Sequence, residues 1–137
     1  MRYLIDTIIL TKMVNENDSF SNDVRAILDD YENIIYVSSE SIKEFVHLVQ
    51  NGKIILKKNF HLLDVFDLIE NTFGLNVKYV AKEHLCTLTK LDLVEGHNDP
   101  SDRLIISQAL TEKIPLISSD TKFPKYRKQG LDLIVNC

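Results

Sequence analysis

The chain has 137 residues, 45% of them hydrophobic, with 4 Gly, 3 Pro and 2 Cys. That suits one compact domain over 1–137, and it excludes a disulfide framework and, with no apolar run near the roughly 18 residues of a membrane span, a transmembrane helix. The net charge of −4, from 20 acids and 16 bases, runs against the basic footprint of a nucleic-acid binder, unless a group of carboxylates is gathered around metal ions.

In chain order, "RYLI" (2–5) predicts a buried strand that turns into a helix at Asp6-Thr7, continued by "TIILTKMV". Asp6 interrupts the apolar start and no small-residue cleavage site follows, so no signal peptide is expected. "NDVRAILDDY" (22–31) has helical spacing, and "NIIYVSS" (33–39) is a β-branched strand closed by serines that can cap a helix. In "ESIKEFVHLVQNGKI", Ile42, Phe45, Val46 and Val49 fall at i, i+3, i+4, i+7, with Gly52 as a stop. "FHLLDVFDLIENTFG" (60–74) is a further amphipathic stretch ending at Gly74. A strand "NVKYV" (76–80) and a helix "AKEHLCTLTKL" (81–91) follow, then a helix within "GHNDPSDRLIISQAL" (96–110). The chain closes with a strand "IPLISS" (114–119), a basic helical piece around "KFPKYRKQG" and a strand "LDLIV" (131–135).

Strands alternating with helices, and no hairpin turn between any pair, predict an α/β fold. It is a three-layer α/β/α sandwich with a central, mostly parallel sheet, whose ligand crevice lies at the carboxyl ends of the strands. Cys86 and Cys137 have neither disulfide nor metal spacing, which favours a reducing, cytoplasmic setting. The bases cluster as Lys53, Lys57 and Lys58 and as Lys122, Lys125, Arg127 and Lys128. Each cluster reads either as a solvated face or as a surface that meets nucleic acid.

Asp6 closes the first strand, Asp120 follows "PLISS", and Asp99 and Asp102 open a helix. Each has an ordinary structural reading. Asp6 and Asp120 can be helix N-caps, and in "DPSD" Asp99 fits N-cap, Pro100 N1 and Asp102 the third position of a capping box. Together they suggest something else. Carboxylates sharing one crevice repel one another unless cations bind, and hard divalent ions favour such oxygen donors and can drive phosphodiester hydrolysis.

"YLIDT", "SSESIKE", "HNDPSDRLIISQAL" and "PLISSDTKFPKY", in this order, resemble the PIN-domain family and within it the VapC-type toxins of toxin–antitoxin pairs. The resemblance spans the whole chain, and the block "HNDPSDRLIISQAL…PLISSD" is its most specific part. It implies a metal-dependent endoribonuclease using Mg²⁺ or Mn²⁺, with Asp6, Glu44, Asp102 and Asp120 as the catalytic acids and Asp99 as an accessory ligand. Thr7 and Ser119 fall where small hydroxyl residues help hold the ligands. A cognate antitoxin and a homodimer are implied as partners, beside the RNA substrate and with no membrane. Helices at 22–31 and 60–74 offer surfaces for these partners, or simply core packing.

Glu44 enters by resemblance alone. On a helical wheel it lies opposite the apolar face, which reads as solvent-facing charge or as the end of a Ser41-x-x-Glu44 capping box. Three positions depart from the family pattern: Ile8 where a histidine is common, Ser101 for an aromatic, and Lys43 for another aromatic. His97 is read as a loop hydrogen-bonding residue, with phosphate positioning or acid–base work as its alternative. His47, His61 and His84 are read as structural, and Arg103 as a partner for a site carboxylate or, less so, for phosphate. Two other functions compete: a non-catalytic PIN-fold interaction module, and a receiver- or phosphatase-type Mg²⁺-binding domain. The latter needs paired acids after the first strand and a central acceptor Asp, and Asp6 stands alone while "NIIYVSS" lacks one.

Overall fold

The structure, a computed structural model, describes residues 1–15, 19–56 and 61–137. Five strands form one wholly parallel sheet: β1 (Arg2–Ile5), β2 (Ile34–Ser38), β3 (Asn76–Lys78), β4 (Leu116–Ser118) and β5 (Leu133–Val135), in the order β3-β2-β1-β4-β5. In β1, Leu4 and Ile5 pair with Tyr36 and Val37 on one side and with Leu116 and Ile117 on the other. The central strand is therefore covered on both faces, which is why "YLI" is continuously apolar rather than alternating.

Alternation along the strands divides two cores. Tyr3, Ile5, Val37 and Ile117 pack with Ile9, Leu10, Val24, Ile42 and Phe45 on one face. These come from α1 (Thr7–Val14), α2 (Asn22–Asp29) and α3 (Ser39–Gln50). Leu4, Leu116 and Leu133 pack on the other face with Ile105, Ile106, Phe123 and Tyr126, from α6 (Pro100–Glu112) and a 3-10 segment, Phe123–Gln129. On this side α5 (Lys82–Lys90) packs against α6. The three-layer α/β/α sandwich predicted from the pattern is the fold observed, and no helix among the described residues is long and apolar enough to cross a membrane.

Two expectations are corrected. The stretch 60–74 is not one regular helix: Phe60 lies outside the described residues, and the rest is a 3-10 turn, Leu62–Asp64, one α turn, α4 (Val65–Asp67), and a π turn, Leu68–Thr72. Val65 and Ile69 still bury at i, i+4, so the apolar periodicity was sound. Which carbonyl each amide chooses is a tertiary matter that periodicity does not encode. The strand over 76–80 stops at Lys78, where β2, its only neighbour, also ends.

The chain runs β1→β2→β3 outward in one direction, then returns to β4 and β5 on the other side of β1. The sequence order therefore reverses between β1 and β4, and in open parallel sheets a crevice opens at the carboxyl ends of such a strand pair. Asp6 and Ser118 stand at those two ends.

Candidate functional site

A pocket of about 360 Å³ at this edge is lined by Asp6, Glu44, Asp99, Asp102 and Asp120. All five acids singled out in the sequence meet there. Thr7, Ile8, Thr11, Lys12, Leu48 and Ile54 supply the remaining wall.

Asp6 is 2% exposed and caps α1: its Oδ1 accepts from the Ile9 amide at 2.9 Å, and its Oδ2 from the Ser118 hydroxyl at 2.5 Å. Ser118 in turn accepts from the Asp120 amide at 3.0 Å, so one buried hydroxyl ties the end of β1 to the chain after β4. Burial pushes the Asp6 carboxyl up to about 7 despite those two hydrogen bonds, with Asp102 and Asp120 adding repulsion.

Asp99 is the N-cap of α6 and accepts from the Asp102 amide at 3.0 Å, with Pro100 opening the first turn. Only this half of the capping box forms. Asp102, instead of reaching back to the backbone, meets His97 Nε2 through Oδ2 at 3.2 Å. Burial raises the Asp102 carboxyl to about 6; the His97 hydrogen bond opposes the rise, and the charges of Asp99 and Glu44 add to it. Asp120 does not cap a helix. Its Oδ1 accepts from the Lys122 amide at 2.8 Å, a turn of the Asx kind.

Glu44 projects from α3 into the pocket one turn before Leu48. The capping-box reading fails because Ser38 is the N-cap of α3, while Ser41 lies inside the helix, buried and without a hydrogen-bond partner. No hydrogen bond holds Glu44 among the described residues. Ser101, at one of the departures from the family pattern, donates to Glu40 Oε1 at 2.9 Å and joins the first turn of α6 to α3. That contact sets the two helices that present Glu44 and Asp102 against each other.

His97 makes contacts at the site that the sequence did not show. It is 5% exposed, its Nδ1 is 2.6 Å from the Tyr126 hydroxyl, and its ring packs edge-on to Phe123 and Tyr126. His97, Asp102 and Asp120 each offer a ligand atom within 4.8 Å of the others. That spacing alone would suit a metal held by these three residues, without Asp6 or Glu44. Both imidazole nitrogens are already engaged, however, so we read His97 as the orienting partner of Asp102, a common arrangement behind ligands. The expectation that its ring hydrogen-bonds within the loop is corrected: its partners are Tyr126, from the 3-10 segment, and Asp102, in the first turn of α6. What the sequence lacked was the link from Tyr126, which folds back from the 3-10 segment.

Several smaller expectations change. Ser118, not Ser119, holds Asp6; the Ser119 hydroxyl accepts from Asn136 Nδ2 at 2.9 Å and from Lys12 Nζ at 3.4 Å. The Thr7 hydroxyl is buried without a hydrogen-bond partner and so does not hold a ligand. Among the described residues Arg103 pairs with no carboxylate: its guanidinium donates to the Leu91 and Asp92 carbonyls at 3.0 and 3.2 Å. In the basic groups, Lys125 and Arg127 are spent on the Glu95 and Leu133 carbonyls, while Lys57 and Lys58 lie outside the described residues. His84 is structural as expected, taking the Ala81 amide on Nδ1 and contacting Glu112 through Nε2.

The donor set fits a hard divalent cation. It is rich in carboxylate oxygen, and two of its acids, Asp6 and Asp102, are held at raised pKa values, a cost that a bound ion would remove. A site built for structural zinc would show thiolates, and both cysteines are exposed elsewhere.

Comparison with known proteins bears on the fold. Over their whole lengths, the chain and a chain of the VapBC2 complex from Rickettsia felis, solved bound to a promoter DNA fragment, superpose with TM-score 0.71 at 20% identity. VapBC-1 from nontypeable Haemophilus influenzae matches with TM-score 0.67 at 20% identity over 98% of each chain. FitAcB from Neisseria gonorrhoeae gives 0.64 at 14% over 96% of each. A search of curated protein sequences returned no match. A family model, the PIN domain, matches residues 3–129. The chain belongs to the PIN domain family.

Proposed function

We propose that this protein is a metal-dependent endoribonuclease, the toxin of a toxin–antitoxin pair. The observation that carries the reading is the convergence of five carboxylates, from four separate stretches of chain, on one pocket at the switch point of the sheet.

In this reading Asp6, Glu44, Asp102 and Asp120 hold Mg²⁺ or Mn²⁺, with Asp99 as an accessory ligand. When bound, the ion supplies Lewis acidity and offsets the charge of the phosphodiester. The chain's own residues do the rest. Ser118 and the Ile9 amide fix the rotamer of Asp6, and Tyr126 and His97 fix that of Asp102. Asp6 keeps its proton up to about pH 7 and Asp102 up to about pH 6, so loading the ion requires them to be shed and is favoured as pH rises through this range. Leu48, Ile54 and Ile8 give the pocket an aliphatic wall that limits water on one side.

The resemblance to VapBC and FitAcB chains supports a protein antitoxin as partner, and the family pattern supports a homodimer and a cytoplasmic setting. Light scattering of the purified chain, alone and with the product of an adjacent reading frame, tests both assemblies.

The enzymatic reading is tested by incubating purified protein with a pool of structured RNAs in Mg²⁺, Mn²⁺ or EDTA, beside Asp102→Ala. We expect cleavage that requires metal and vanishes in the folded variant. Cleavage that survives the substitution would refute this site. If RNA and Mn²⁺ both bind without cleavage, a non-catalytic PIN module is the better description.

A further inference from the structure

We infer that Lys12 binds a phosphate of the RNA backbone beside the reacting one; the assignment rests on the nuclease reading above. Among the described residues, Lys12 is the only basic one lining the acidic pocket. A lysine set among five carboxylates would ordinarily be spent on them as an ion pair. Among the described residues it is not: no carboxylate lies within ion-pair distance of its ammonium. Its hydrogen-bond partner is neutral, the Ser119 hydroxyl at 3.4 Å.

That hydroxyl is itself held in place. It accepts from Asn136 Nδ2 at 2.9 Å, and Asn136 is 4% exposed, anchored by the Ser21 amide on Oδ1 at 2.7 Å and by donation to the Ser19 carbonyl at 3.2 Å. The residue that follows β5 thus positions Ser119, next in sequence to Asp120, and the serine oxygen parks the ammonium there. Of the three ammonium donors, one points at this serine. The others remain for a ligand at the pocket. An anion is the complementary ligand, and a phosphodiester oxygen is the anion that the proposed substrate brings. Lysine supplies this as a point charge without bidentate geometry, which suits a backbone contact rather than base recognition.

The test compares wild type, Lys12→Met and Lys12→Arg. Binding of a fluorescein-labelled single-stranded RNA pool is followed by anisotropy over a series of KCl concentrations with Ca²⁺, and cleavage of the same pool is followed with Mn²⁺. Losing one phosphate contact should lower the slope of log affinity against log salt by about 0.7 and weaken binding at moderate salt by about tenfold. In cleavage the loss should fall on KM with kcat nearly kept, Lys12→Arg should restore the slope, and Mn²⁺ affinity measured by calorimetry should not weaken. An unchanged slope and affinity in Lys12→Met would overturn the assignment. So would a loss matched by weaker Mn²⁺ binding or by a lowered melting temperature, which would make Lys12 structural. If wild type binds Mn²⁺ but neither binds nor cleaves RNA, the nuclease reading itself has failed and the phosphate assignment falls with it.

Discussion

Replacing Asp6 by Asn should make the metal-free protein more stable at alkaline pH and leave it unchanged below about pH 4. The Asp6 carboxyl is pushed from its ordinary 3.8 up to about 7, chiefly by burial. Between those values the folded state holds a proton that the unfolded state has released, so stability falls as pH rises through this window and levels off above about 7. Three units correspond to a ceiling of about 4 kcal/mol. Asn keeps the N-cap bond to the Ile9 amide, since it caps helices as well as Asp does. The raised value is already net of the Ser118 hydrogen bond to the ionised carboxyl, so losing that bond takes nothing further from the gain. The gain at about pH 8 should therefore approach that ceiling, roughly 3–4 kcal/mol, or on the order of ten degrees in melting temperature for a domain this size. At about pH 3.5, where Asp6 is protonated in the folded and largely in the unfolded state, the two proteins should match to within roughly 0.5 kcal/mol. Urea unfolding followed by far-UV circular dichroism in EDTA measures both points. Adding Mn²⁺ at the higher pH should then stabilise wild type and not the variant, by mass action on the folded state. A gap equal at both pH values, or a variant less stable at pH 8, would show that burial does not charge this cost to Asp6.

Three further outcomes follow from the contacts. Glu44→Gln should leave stability within about 0.5 kcal/mol, because no hydrogen bond holds the residue, yet weaken Mn²⁺ binding about tenfold in a calorimetric titration. His97→Ala should lower Mn²⁺ affinity and RNA cleavage roughly 10–100-fold by freeing Asp102, the usual cost of removing a ligand's orienting partner; Tyr126→Phe should lower them less, and should cost about 1–3 kcal/mol in urea unfolding for an unpaired buried imidazole nitrogen. Arg103→Ala, which removes two donations to the Leu91 and Asp92 carbonyls, should cost about 1–3 kcal/mol of stability in the same assay while kcat stays within a few-fold.

The sheet was legible in the sequence because parallel strands buried on both faces leave a strong mark. "RYLI", "NIIYVSS" and "PLISS" are β-branched, apolar and bounded by polar turn residues. Asp6 and Asp99 were legible as caps for the same local reason. What was not legible was every contact made across the fold. Glu44 reads as solvent-facing until α1 and α6 are placed around it, because a helical wheel knows only the apolar face and not which crevice the opposite face overlooks. Ser118 and Ser119 are adjacent and chemically alike, and only strand alternation in three dimensions decides that the first turns inward to Asp6 while the second meets Asn136. Tyr126 is separated from His97 by the whole of α6 and β4, and no local signal joins them. The π turn at Leu68–Thr72 preserves the apolar period while changing the hydrogen bonds, which is why composition could not foresee it.

Capping and metal binding, rival readings of these aspartates in the sequence, would call on different atoms. Asp99 and Asp120 each give Oδ1 to a backbone amide, of Asp102 and Lys122 respectively, and Asp102 gives Oδ2 to His97. In each case no hydrogen bond among the described residues occupies the second oxygen. The first bond fixes the rotamer and sets the carboxyl where local charge favours it, and the second oxygen is left to the pocket. Asp6 is the exception, with both oxygens engaged, and it is also the most deeply buried and the most strongly raised in pKa. A cation approaching Asp6 must therefore compete with the Ser118 hydroxyl or share its oxygen. Ser118→Ala should then separate two effects: it removes a bond that steadies the ionised carboxylate, raising the pH at which metal binding sets in, while freeing the oxygen the ion would use above that pH. Mn²⁺ titrations of this variant at about pH 6 and pH 8.5 should show weaker binding than wild type at the first and equal or tighter binding at the second. Weaker binding at both would mean that the hydroxyl is needed to orient Asp6 rather than merely to hold its charge.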